Sequence, residues 1–256
     1  MACAMLSDSR PTLHIVLTQG LSIFQQLRLE EALLRTDDRN WFLWNQGSPA
    51  AVVLGINGVL DELLERQEWE RNPLPLIRRF SGGGTVVVDE QTLFASWIMG
   101  REALPAIDPY PSSILGWVAQ LLSPIGIEVA AQDFVKGARK VGGNAQYLKG
   151  NRWLHHTSFL WNYSPARMNL LKIPARRPAY RAGRDHESFL QCLEHCLMSP
   201  DHLLNALLEG MKDQFIFQYE NLDQLLPFME RPHRQTVRTE RWPWPQMQSA
   251  SSSGVQ

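Results

Sequence analysis

Two basic, glycine-containing segments hold the residues with the clearest chemical potential. The first is Arg78-Arg79-Phe80-Ser81-Gly82-Gly83-Gly84-Thr85-Val86-Val87-Val88-Asp89. Consecutive glycines can turn several backbone N–H groups onto one anion, because no Cβ blocks the approach and positive φ costs little. A phosphate suits such a loop, and Arg78 and Arg79 add charge beside it. The apolar, β-branched run from Thr85 to Val88 reads as a strand leaving the loop, so the glycines lie between strands. That separates them from the strand-loop-helix phosphate binders, whose signatures are GxGxxG or a glycine followed by Lys and Ser/Thr. A plain hairpin turn is the alternative, but it does not require two arginines. Asp89 reads as a turn-capping residue at least as well as a catalytic one.

The second segment, Lys136-Gly137-Ala138-Arg139-Lys140-Val141-Gly142-Gly143-Asn144-Ala145-Gln146, reads as a basic turn between strands. Trp153 to Trp161 follows as a strand carrying His155 and His156. Adjacent strand residues point to opposite faces, so one histidine faces the core and the pair cannot jointly ligate a metal. No cysteine or carboxylate cluster completes a site around them, and no metal site is expected. Cys192 and Cys196 are read as small core or boundary residues on a helix, since a reactive thiol needs an electropositive, exposed setting.

These segments must be positioned by a core, and 256 residues with 44% hydrophobic content provide one. Lys and Arg number 25 against 26 Asp and Glu, giving a net charge of −1 and no overall attraction to nucleic acid. Three cysteines form no disulfide framework and fit a reducing compartment, so a cytoplasmic location is expected. No apolar run reaches the roughly 20 residues needed to span a bilayer. Residues 1–12 read as a flexible N-terminus, 13–230 as one folded unit, and 231–256 as a disordered, polar tail.

Along the chain, Leu13 to Thr18 reads as a strand, and Ser22 with Gln25 as a capping box opening an amphipathic helix. Trp41 to Trp44 and Ala51 to Leu54 are predicted to form a hairpin around Asn45 to Pro49, and 85–88 a second hairpin with Thr92 to Met99. Leu60 to Trp69 reads as one helix ended by Asn72-Pro73, and Ile114 to Leu122 as another. Gly126 to Phe134 alternates like a strand, and residues 165–186 form a basic surface loop containing Arg167, Lys172, Arg176, Arg177, Arg181 and Arg184. Helices are predicted over 189–197 and from Ser199-Pro200-Asp201 to Phe215.

Taken together, Val52-Val53-Leu54-Gly55, RRFSGGGTVVVD (78–89), Asp133, RKVGGNAQ (139–146) and HHTSFL (155–160) resemble the lipoate-protein ligase and octanoyltransferase family. That family shares its catalytic fold with biotin-protein ligases, and the resemblance covers roughly residues 13–198. It implies an α/β (α+β) fold: a mixed, curved sheet flanked by helices, with an apolar slot for a lipoyl or octanoyl chain. It also implies ATP-dependent activation of lipoate to lipoyl-adenylate (lipoyl-AMP), with Mg2+, and transfer to a lysine of lipoyl-domain proteins. Such acceptors are 2-oxoacid dehydrogenase subunits and the glycine cleavage H protein. Carried over by position, Arg79, Ser81, Gly82, Gly83, Gly84, Thr85, Val86 and Val87 hold the adenylate phosphate and nucleotide. Lys140 meets the acyl carbonyl and phosphate, Asp133 binds magnesium or orients Lys140, and Gly143, Asn144, Ala145 and His156 complete the binding site.

Two departures stand out. Many bacterial ligases continue the glycine motif with His-Asp-x-Gly-Asn, whereas this chain reads Val88-Asp89-Glu90-Gln91-Thr92. Two-domain ligases also carry a small C-terminal domain that residues 199–230 do not replace. A separate accessory subunit, weak adenylation or a pre-activated acyl donor are the expectations that follow. Two other readings share these residues: a transferase working through an acyl-cysteine, and a non-catalytic acyl-binding protein of the same fold.

Overall fold

Branched and aromatic residues form the strands expected of them, yet the strands combine into two sheets instead of consecutive hairpins. The computed structural model describes residues 8–104, 106–174 and 177–242. In chain order the elements are β1 (Thr12–Gln19), α1 (Ile23–Thr36), β2 (Asn40–Gln46), β3 (Ala51–Leu54), α2 (Leu60–Leu63), α3 (Arg66–Arg71), β4 (Leu76–Arg78), β5 (Val86–Val88), β6 (Thr92–Gly100) and α4 (Pro111–Leu122). Then come β7 (Glu128–Ala130), β8 (Asp133–Lys136), β9 (Arg139–Lys149), β10 (Arg152–Leu160), α5 (Pro165–Met168), α6 (His186–Phe189), α7 (Pro200–Met211), β11 (Ile216–Tyr219), α8 (Leu222–Glu230) and β12 (Arg238–Glu240). An eight-stranded sheet runs β11-β1-β2-β6-β10-β9-β8-β7, and a four-stranded sheet runs β12-β4-β3-β5. Both are mixed: β1 lies parallel to β2 and β11, and β3 parallel to β4, while the other pairings are antiparallel.

One face of the large sheet buries Phe42, Trp97 and Trp153 against Trp117 and Leu121 of α4 and Leu207 and Met211 of α7. The other face buries Val16, Ile98 and Leu154 with Leu27 and Leu33 of α1, with Val53 and Ile77 of the small sheet, and with Phe80 just beyond β4. The site forms where α1, the small sheet and this second face meet. Thus the mixed-sheet, helix-flanked α/β class expected from the sequence is the one observed.

Both predicted hairpins are corrected. β2 pairs with β6, Gln46 opposite Leu93, and β3 pairs with β5, Ala51 opposite Val88. Each predicted pair is split between the sheets, because the two turns bind each other. Gly47 N–H donates to Thr92 O at 2.8 Å and Ser48 N–H to Asp89 O at 3.1 Å. Gly47 has φ +80, and a Cβ there would sit 2.9 Å from Glu90 O, so only glycine allows the turns this close.

Four other expectations change. The helix over 60–69 breaks at the wholly buried Leu64, which bridges to Leu171. The strand over 126–134 folds back at Ala131, whose φ is 58, giving the β7–β8 hairpin. The helix over 189–197 is interrupted because Gln191 N–H bonds Lys140 O and Glu194 N–H bonds Trp161 O, so only short turns remain. Finally, the tail boundary at 231 moves outward: β12 pairs with β4, and Val237 and Trp242 are buried. Residues 243–256 lie outside the described residues.

Candidate functional site

The glycine loop is held from beneath by Arg79. Its buried guanidinium donates to Gly82 O at 2.6 and 3.1 Å, Gly84 O at 2.9 Å and Ser81 Oγ at 3.1 Å. Burial pushes its pKa down to about 10, with Glu30 acting in the opposite direction. Because the carbonyls turn toward this cation, the amides are left over: among the described residues, no protein group accepts from the N–H of Gly82, Gly83 or Gly84. Gly83 has φ +94 and a Cβ there would lie 2.8 Å from Arg79 Nη2, so a side chain would displace the cation. Unbonded amides beside a buried positive charge are an arrangement suited to an anion.

Lys140 stands opposite, in β9 and not in the turn the sequence suggested. Asp133 pairs with Gly143, but Val135 pairs with Lys140, with a bulge between Phe134 and Val135. Regular alternation would send Lys140 and Gly143 to opposite faces; the extra residue restores them to one face. Lys140 consequently reaches Asp133 Oδ1 at 2.7 Å and lies over Gly143, where a Cβ would meet Nζ at 3.3 Å. Tyr180 donates to the other Asp133 oxygen at 2.8 Å. Burial, and then this bond, push the Tyr180 hydroxyl well above its ordinary pKa. Asp133 is thus held between Lys140 and Tyr180, with one contact to each oxygen.

His155 and His156 face opposite ways, as strand geometry requires. His155 is wholly buried in the core; Gln146 Nε2 donates to its Nδ1 at 2.9 Å, and its Nε2 lies 3.0 Å from Thr157 Oγ1. His156 faces the site, with Nδ1 2.8 Å from Glu30 Oε2 and Nε2 3.0 Å from Ser81 Oγ. Glu30, wholly buried on α1, also accepts from Ser96 Oγ at 2.6 Å and Gln26 Nε2 at 2.9 Å. The chain Arg79–Ser81–His156–Glu30 ties the glycine loop to β10 and α1.

These groups line a cleft of about 740 Å³. Arg79, Gly83, Gly84, Thr85 and Val86 form one wall, and Asp133, Lys140, Gly143, Asn144, Ala145 and His156 the other. Ile23, Leu27, Val53, Val88 and Phe94 make one end apolar. A second cavity of about 200 Å³ adjoins it across Lys140, Thr85 and Gly143, and has Val87, Thr92, Leu171 and His186 in its walls. Of the remaining predicted site residues, Ser81 is wholly buried and Gly82 contributes its carbonyl to Arg79. Thr85 Oγ1 is buried and has no partner among the described residues, although both cavities touch Thr85. Glu30 and Tyr180 carry no local sequence signal, and Arg181 reads in the sequence only as part of a basic surface run; the fold brings all three in from a distance.

The basic run is not simply solvated. Arg167 pairs with Asp89 at 3.0 Å and Glu90 at 2.7 Å, and Arg181 is buried with its guanidinium 4.5 Å from the centre of the Phe189 ring. Arg184 donates to Ala138 O at 2.9 Å, while Arg177 stays exposed at the cleft; Arg176 lies outside the described residues. Asp89 behaves as a turn residue, accepting Gln91 N–H at 3.0 Å. Cys192 lines neither cavity, and burial, reinforced by Glu194, pushes its thiol pKa up. Cys192, Glu194 and His195 place ligand atoms within 4.8 Å of one another, away from the histidine pair considered above. Among the described residues no helix is long and apolar enough to cross a membrane.

The sequence is 26% identical to the inactive lipoate–protein ligase 2 of Plasmodium falciparum over 82% of this chain and 71% of that protein. The fold superposes on a bipartite lipoate protein ligase of Thermoplasma acidophilum with a TM-score of 0.67 and 16% identity, covering 86% of this chain and 93% of that one. A lipoate-protein ligase A bound with ATP gives a TM-score of 0.65 at 18% identity, covering 87% and 95% of the two chains. A family model, the lipoyl protein ligase A/B catalytic domain, matches residues 22–212, a span that contains the glycine loop, Lys140 and His156. The chain belongs to the lipoyl protein ligase A/B catalytic-domain family.

Proposed function

We propose that the chain is a lipoate-protein ligase that activates lipoate with ATP and transfers the lipoyl group to a lysine of lipoyl-domain proteins. The observation that carries this reading is Lys140, paired with Asp133 at the junction of two cavities and lining the same cleft as the unbonded amides of Gly83 and Gly84. The apolar end of the large cleft suits an acyl chain, the glycine amides suit the phosphate, and the smaller cavity suits the base. Lys140 Nζ then donates to the acyl carbonyl oxygen as the acceptor amine attacks, stabilising the negative charge that develops there while AMP departs with the bonding pair. Lys140 is not itself acylated. The residues fit ATP and lipoate, as the ATP-bound neighbour supports. Asp133 already accepts from Lys140 and Tyr180, which favours a role in orienting Lys140, and magnesium is proposed to enter with the phosphates. Acceptors of the 2-oxoacid dehydrogenase and glycine cleavage H protein class, and a separate accessory subunit, are the proposed partners; similarity to a bipartite ligase studied with its E2 lipoyl domain supports both.

The cysteine route has little support, since Cys192 is buried, carries a raised pKa and lines neither cavity. A second reading, an acyl-binding protein without activity, is favoured by one observation: the relative in Plasmodium is described as inactive. Incubation with ATP, magnesium, lipoate and a lipoyl domain, followed by intact-mass measurement, separates the two. A lipoyl mass gain supports the ligase. No gain with ATP, but gain from preformed lipoyl-adenylate, indicates a transferase, and no gain from either leaves the binding protein.

A further inference from the structure

The adjacent arginines of the glycine-loop segment have different work. Arg79 faces the cleft, whereas Arg78 is 7% exposed and lines neither cavity. Its Nη1 donates to the carbonyls of Gly55, Ile56 and Gly58 at 2.9, 3.1 and 2.8 Å, and its Nε to Glu240 Oε1 at 2.6 Å. The 55–58 turn that it pins is the floor of the glycine loop. Ile56 N–H donates to Ser81 O at 3.0 Å, and Arg79 N–H to Leu54 O at 3.0 Å. Gly55 presses so closely that a Cβ would lie 2.2 Å from Gly83 O.

Glu240 is the carboxylate paired with Arg78 among the described residues, and it arrives from the far end of the chain. After α8 the backbone crosses α1, where Glu31 Oε2 accepts the N–H of Thr236 at 2.8 Å and of Val237 at 3.1 Å. β12 then sets Arg238 opposite Arg78 and Glu240 opposite Leu76. A guanidinium this buried needs an anion; with neutral carbonyls alone it draws in water and releases the turn that it holds.

We propose that residues 236–242 are a strap that sets the shape of the glycine loop, with Glu240 as a positioning residue acting through Arg78 and the 55–58 turn. The consequence for ligand rests on the reading of that loop as the phosphate site. The strap itself is tested on the full chain without ligand, by hydrogen exchange of Glu240→Gln, which keeps an acceptor oxygen and removes the charge. The amides of Ile56, Gly58 and Arg79, whose N–H groups bond the turn and the start of the loop together, should exchange about tenfold faster, the scale of one lost charge-assisted bond, while those of β6 and β10 keep their wild-type rates. Glu240→Asp should restore part of the protection, and serves in its place if the glutamine variant does not fold. ATP affinity should fall about five- to tenfold in Glu240→Gln with lipoate affinity within about twofold, because only the loop side of the cleft is loosened. Wild-type exchange at Ile56, Gly58 and Arg79, or equal acceleration throughout the chain, would overturn the strap. If instead ATP leaves the wild-type loop amides unprotected, the phosphate reading fails, and the ligand-free comparison still decides the strap.

Discussion

Thr85→Val is the substitution for which fold and function are expected to move in opposite directions. Thr85 Oγ1 is buried without a partner among the described residues, at the boundary of both cavities. A buried hydroxyl left unbonded costs about 1–3 kcal/mol. Valine has nearly the same shape and removes that penalty, so the variant should be as stable as wild type or gain up to about 1 kcal/mol, roughly 2–4 °C in Tm for a chain of this size. If the hydroxyl donates to a ligand phosphate, the lost bond to a charged acceptor is worth about 1.5–3 kcal/mol, or roughly 10- to 100-fold in Kd. Isothermal titration with ATP, alongside a thermal melt, reads both quantities. Thr85→Ser should keep the affinity, since it retains the donor. A fall in Tm with ATP affinity unchanged would refute the reasoning, because the hydroxyl would then be serving the fold.

The other expectations follow from the same geometry. Lys140→Ala should fold normally and lose about a hundredfold in transfer from preformed lipoyl-adenylate, the scale of one pre-organised donor; unchanged single-turnover rates would remove Lys140 from the chemistry. A Cys192→Ser/Cys196→Ser double variant should keep transfer within about twofold of wild type, because burial already holds the Cys192 thiol in its protonated form. Burial, and then the neighbouring His156, push the pKa of His155 from 6.5 down to about 3. The unfolded imidazole takes up a proton as pH falls through 6.5 while the folded one stays neutral, so this contribution is complete above that value and is lost on acidification toward 3. At about pH 5 the loss is about 2 kcal/mol, visible as a lower urea midpoint than at neutral pH. His155→Gln should flatten that dependence.

The strands were legible because branched and aromatic runs announce themselves, whereas the pairing was not, because it depends on a contact between two turns. Asn45 to Pro49 and Asp89 to Thr92 each look like the end of a hairpin, and each does reverse the chain. What decides the pairing is that Gly47 and Ser48 bond to Thr92 and Asp89, an agreement between segments more than 40 residues apart. The same limit explains the tail: residues 231–242 carry no apolar periodicity of their own, and are ordered by partners already in place, Glu31 on α1 and Arg78 on β4.

The site follows a similar division. The glycine loop could be read locally, because the need for several free amides at one point is satisfied by residue type alone. Lys140 could be named from the motif, but its direction could not: strict alternation from Gly143 sends its side chain to the core face, and a single bulged residue sends it to the cleft. His156 and Ser81 were both in recognisable segments, yet nothing near them in sequence identifies Glu30, 126 residues before the histidine, as the group between them and the core. A buried carboxylate on an amphipathic helix looks like a flaw in the apolar face of α1. Here it accepts from Gln26, Ser96 and His156, and so fixes the histidine against the wall from which the cleft is built.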